Sequence, residues 1–153
     1  MALSADRLPP SGRAGDRPAR GELSATQIGA LAVSQIATLS NTAASALDAT
    51  QLAALNVTKV RAFTATQISA LSATDVAEFA NTQLAAMTTT QVQALTATNI
   101  ASLADTQIAA LTTGQLAAVN ATKIAELGSS QVAALTAAQM GALTTTQLRA
   151  LTT

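Results

Sequence analysis

The chain has 153 residues, and its 8 Lys+Arg cancel its 8 Asp+Glu, so no net field exists to attract nucleic acid or an anionic membrane. Cys and His are both missing, which excludes disulfides, thiolate chemistry, the usual zinc ligands and the commonest general base. With no Trp, no Tyr and only Phe63 and Phe79, there is no aromatic platform on which single-stranded nucleic acid would stack.

Residues 1–22 hold all three prolines (Pro9, Pro10, Pro18) and three of the seven glycines. Their arginines (Arg7, Arg13, Arg17, Arg20) are offset by Asp6, Asp16 and Glu22. Such a composition buries no core and predicts a disordered N-terminal tail. It contains no uninterrupted apolar stretch of the kind a classical secretory signal needs. No later segment runs 18 apolar residues, so no membrane-spanning helix is expected.

Residues 23–153 form the second unit, which repeats every eight residues without insertion or deletion. Its anchor column runs Leu23, Leu31, Leu39, Leu47, Leu55, Phe63 and onward to Leu151, seventeen large apolar residues in all. Five places after each anchor lies a second apolar column, from Ile28 and Ile36 to Met140 and Leu148, with Ala44 its one small member. The consensus L-[ST]-x-T-Q-[IVL]-x-A recurs in sixteen full octads, the signature of a repeat array whose units bury apolar faces only against neighbours.

The residue after the anchor is Ser, Thr, Asp or Asn in thirteen of seventeen cases, and the residue three further on is Gln in eleven of sixteen. This is a capping box: the first side chain accepts a backbone N–H of the opening turn while the Gln reaches back. The anchor before the cap and the apolar residue at the fourth helical position add a hydrophobic staple. Every octad keeps at least one half of the box. Ala32, Ala80, Ala104 and Gly128 are followed by Gln35, Gln83, Gln107 and Gln131, whereas Ala43, Lys59, Asp75, Asn99 and Lys123 follow the caps Ser40, Asn56, Ser72, Thr96 and Asn120.

One continuous helix fails, because eight residues advance it by roughly 800° and the anchor column would wind around the rod. A strand fails on spacing, since columns five and three residues apart fall on opposite faces. The expected fold is therefore all-α, a solenoid-like array of very short helices, one per octad, each about six residues long. A β-solenoid is the alternative, favoured by the Thr, Val and Ile content. Almost no junction offers a helix-ending Gly or Pro, so the bends are expected to rest on the caps.

Chemistry is sparse. Asp75 and Glu78 are the only close acidic pair in the repeats, and a solvated helix face accounts for them. Lys59 and Lys123 sit in the related segments Asn56–Val60 and Asn120–Ile124 and, with Arg61, are read as duplication rather than a basic groove. No phosphate-cradling loop or calcium loop occurs. No catalytic, cofactor-binding or metal residue is assigned, no cofactor is expected, and the chain is read as not an enzyme. A further column, two places after the cap, is Ser or Thr in fourteen of sixteen octads, from Thr26 through Thr90 to Thr146. Its hydroxyls are expected to bond local backbone, with a surface-binding ladder as the functional alternative.

The clean copy Leu143-Thr144-Thr145-Thr146-Gln147-Leu148-Arg149-Ala150-Leu151, with near copies at Phe63–Leu71, Met87–Leu95 and Leu135–Leu143, resembles the Thr/Gln/Ala/Leu-rich short repeats of large bacterial surface and adhesin-like proteins. The resemblance covers residues 23–153. It implies a noncatalytic spacer, adhesive or self-assembling module at a cell surface or outside the cell, partnered by itself, by a protein or by a surface. The helix-start pattern also resembles the opening of TAL-effector repeats. Those units are much longer and carry a base-reading loop, so DNA reading is not carried over. Two alternatives stand beside this: an ice- or surface-binding threonine ladder, and an intracellular solenoid that binds a protein partner.

Overall fold

A computed structural model describes residues 23–151, so the tail expected at 1–22 and the last two threonines lie outside the described residues. Those residues form sixteen short helices and, among them, no strand. In chain order they are α1 (Ala25–Ala30), α2 (Val33–Thr38), α3 (Asn41–Ser45), α4 (Ala49–Ala53), α5 (Val57–Val60) and α6 (Ala65–Ala70). There follow α7 (Ala73–Ala77), α8 (Asn81–Ala86), α9 (Thr89–Ala94), α10 (Ala97–Ser102) and α11 (Asp105–Ala110). The last are α12 (Thr113–Ala118), α13 (Ala121–Ile124), α14 (Ser129–Ala133), α15 (Ala137–Ala142) and α16 (Thr145–Ala150). The array is helical, as the capping frame requires, and the strand alternative falls.

Each helix begins where the octad says it should. The residue after the anchor is the N-cap throughout, from Ser24 and Ala32 to Thr136 and Thr144. In α9 both halves of the box are made: the Thr88 hydroxyl accepts the Gln91 N–H at 3.2 Å, and Gln91 Oε1 accepts the Thr88 N–H at 2.8 Å. Ala32, Ala80, Ala104 and Gly128 have no side-chain acceptor, and there the Gln half alone closes the turn at 2.7–2.8 Å.

The corners need neither Gly nor Pro. At Leu31, Leu95 and Leu103 the anchor leaves the helix at φ −57 to −65° and ψ 137 to 141°, extended backbone open to any residue. The caps that follow them, Ala32, Thr96 and Ala104, continue at φ −65 to −74° and ψ 155 to 166°, so at these corners two extended residues separate consecutive helices.

Three octads make one coil. α3 packs on α6, α6 on α9, α9 on α12 and α12 on α15, while α5, α8, α11 and α14 stack on a second side. On the third side α1 packs on α4, and α7, α10, α13 and α16 follow one another. Both apolar columns point inward and form one continuous core, with Ile36, Leu52, Val60, Ile68, Leu84 and Val92 all fully buried. Helices of four to six residues are not stable alone, so this shared core and the bonds between coils hold them.

Candidate functional site

The Gln column is the most heavily used polar feature of the molecule. Nine glutamines and Asn99 are buried at 1–8% exposure, an unusual place for primary amides. Each amide is used at both ends. While Oε1 closes the capping box, Nε2 reaches the corner of the coil beneath and donates to an anchor carbonyl 28 residues earlier. Gln67, Gln83, Gln91, Gln107, Gln115, Gln131 and Gln139 do so at 2.6–2.8 Å, to Leu39, Leu55, Phe63, Phe79, Met87, Leu103 and Leu111. Most also donate to the carbonyl 31 residues earlier, as Gln91 does to Val60 at 2.9 Å. At these corners the carbonyls freed where a helix stops are thus met from the next coil, which satisfies helix ends that are buried. Among the described residues no buried side-chain N or O lacks a partner.

Substitutions in this column follow the same chemistry. Lys59 and Lys123 close no box, but their ammonium groups donate to the carbonyls of Gly29 and Gln93, in the coil beneath. They are stand-ins for the Gln donor and supply no basic groove. Asn99 keeps both functions on a shorter arm, donating to Leu71 at 3.2 Å, with Ser102 adding a bond to Ala73 at 3.1 Å. Asp75 keeps only the capping half, accepting the Ser72 N–H at 2.8 Å, because a carboxylate has no proton to donate. Ala43 keeps neither and lies in the first described coil, where no described coil lies beneath it.

The acidic pair does not converge on a site. Asp75 is committed to its cap, whereas Glu78 ends α7 and lines an open corner groove with Asn56, Val57 and Thr82. Among the described residues no cluster of three or more Asp or Glu gathers to hold a metal. A cavity of about 90 Å³ near the N-terminal end is lined by Leu23, Ile28, Leu39, Ala43, Ala46, Leu47 and Gln51, beside the octad in which Ala replaces both Gln and the second apolar residue.

The hydroxyl column lies outside. It is exposed in every octad, and among the described residues none of its hydroxyls bonds a neighbouring coil; Thr66 pairs with the cap hydroxyl of Thr64 at 3.0 Å. The expected backbone bonding is therefore not its role. With three octads per coil the column divides by side. Thr26, Thr50, Thr74, Thr98, Thr122 and Thr146 share the side of α1, α4, α7, α10, α13 and α16, whereas the side of α3 and α6 ends in Gly114 and Ala138. Thr90, Thr98 and Thr106, consecutive in sequence, lie on three different sides.

Comparison with known proteins agrees with this frame. The ALTTAQ repeat family matches residues 108–145. Its six letters fall on the pre-anchor Ala, the anchor, the cap and the three residues to the Gln, as in Ala134-Leu135-Thr136-Ala137-Ala138-Gln139. No curated protein and no solved structure matches the chain. The chain is a helical repeat protein, and among its described residues no helix is long and apolar enough to cross a membrane.

Proposed function

We propose that this chain is a noncatalytic structural module, a spacer with adhesive capacity that works at a bacterial cell surface. What supports the reading is the use of its interior polar groups: each buried amide joins one coil to the next, and among the described residues no buried side-chain N or O lacks a partner. Such a device converts chain length into extension, because each added coil contacts only its neighbours. The test is distance between labels at Ser24 and Leu151 in variants with one coil duplicated or removed. A spacer lengthens and shortens by equal steps per coil; a distance indifferent to coil number contradicts the reading.

The threonine column, unbroken from Thr26 to Thr146 on the side of α1 and α4, favours a second reading, a binder of ice or another regular surface. Thermal hysteresis or surface adhesion lost in Thr74→Val/Thr98→Val/Thr122→Val, on one side, but kept in Thr66→Val/Thr90→Val, on the side interrupted by Gly114 and Ala138, supports it. No such activity in the parent chain removes it.

A further inference from the structure

One junction inside the array is joined on two sides and open on the third. Between the coil of α4, α5 and α6 and the coil of α7, α8 and α9, Gln83 donates to Leu52 and Leu55 at 2.9 and 2.7 Å, and Gln91 donates to Val60 and Phe63 at 2.9 and 2.7 Å. The third side falls to Asp75, which stands 28 residues after the anchor Leu47. Its carboxylate accepts the Ser72 N–H at 2.8 Å and has nothing to give the corner beneath, and no described residue donates to the Leu47 carbonyl. Asn99, at the same place one coil further on, shows what an amide does there: it closes its cap at 2.8 Å and still donates to Leu71 at 3.2 Å. The helices register the difference. Of the described helices three apart in chain order, α4 and α7 are the one pair not closely packed, whereas α5 packs on α8 and α6 on α9 at the same junction, and α1 on α4 and α7 on α10 along the same side. Where α4 and α7 end, an open groove of about 360 Å³ lies among Ala53, Asn56, Val57, Glu78 and Thr82. Asp48 and the pair Asp75 and Glu78 also place carboxylates on both octads of this pair, as in no other stacked pair of the described residues.

We propose that the α4–α7 side of this junction is a hinge, at which the solenoid bends by parting on one side while the α5–α8 and α6–α9 seams stay closed. Two closed seams define an axis, and the unjoined third side is the freedom they leave. The neighbouring corners on that side are held. Gln51 donates to Leu23 below, and above it Asn99 and Ser102 reach Leu71 and Ala73, Lys123 reaches Gln93 and Gln147 reaches Val119. The bend is therefore confined to one junction and one direction, set by a single residue rather than by the octad frame. Such a hinge goes beyond extension: it decides where a rod of this kind yields, not how far it reaches.

The test is electron paramagnetic resonance of the full chain carrying paired spin labels, which attach cleanly because the sequence has no Cys of its own. Thr50→Cys/Thr74→Cys spans the open side. Thr66→Cys/Thr90→Cys spans a closed side of the same junction, and Thr98→Cys/Thr122→Cys spans a closed junction on the same side; all six threonines are exposed. The spread of interspin distances is expected to be at least about twice as wide across Thr50 and Thr74 as across either control pair. Asp75→Gln supplies the missing donor and should narrow that spread to the control width while leaving both controls unchanged. Circular dichroism like the parent's checks that each variant folds. Equal spreads in the three pairs overturn the proposal. A spread across Thr66 and Thr90 as wide as that across Thr50 and Thr74 also overturns it, since the whole junction is then loose and has no axis. So does a wide spread at Thr50 and Thr74 that Asp75→Gln leaves as it was. None of these outcomes touches the spacer reading, which is tested by length per coil.

Discussion

At the scale of single residues, the column holds Gln and not Glu because its amide must donate as well as accept. A capping box accepts either, and a box alone would let the two mix. Eleven Gln and no Glu occupy the sixteen places, and three of the five replacements, Lys59, Asn99 and Lys123, still donate. Gln91→Glu keeps the cap but buries a carboxylate against the carbonyls of Val60 and Phe63, and should cost about 3 kcal/mol in denaturant unfolding. The same change at Gln27, in the exposed first coil, should cost almost nothing. Asp75→Gln should stabilise by about 1 kcal/mol, by supplying the donor that the corner at Leu47 lacks. The capping half of this site was legible in the spacing from Thr88 to Gln91. The donor half was visible only as the absence of Glu, a signal that acquires meaning once a second coil lies beneath the first. Lys59 and Lys123 were opaque for the same reason: their partners, Gly29 and Gln93, are 30 residues away.

At the scale of the element, helix starts were fully legible because they are set locally, by a side chain three residues from its acceptor or donor. Ser24, Asn56 and Thr144 all cap the helices their position announces. Helix ends were less so. α5 and α13 stop after four residues, and their lysines occupy the place where Gln elsewhere closes the box. Thr112→Ala should cost about 1 kcal/mol and no more, since Gln115 still closes the other half and Ala32, Ala80 and Ala104 show the pattern tolerated. The octad is the unit that can be removed. Deleting residues 104–111 should leave a cooperative melt with helicity reduced in proportion, because every later Gln still meets an anchor 28 residues back. Deleting residues 108–111 instead strands half an octad, moves Gln115 off its corner and should split or broaden the transition by circular dichroism.

At the scale of the whole molecule, the number of octads per coil could not be read from a chain whose octads are nearly interchangeable. Geometry fixes it at three, through the pairing of each helix with the one three later, and only then do Thr26, Thr50 and Thr74 separate from Thr66 and Thr90 onto different sides. The glutamine seams join the coils, because without them the buried helix ends would lack donors and the coils would share only an apolar core. Hydrogen exchange of the side-chain amides by NMR tests this most directly. The Nε2 protons of Gln67, Gln91, Gln115 and Gln139 should be protected and show cross-peaks to the anchors 28 residues earlier, while those of the exposed Gln27 and Gln35 exchange freely. Equal, rapid exchange at all of these positions would contradict it.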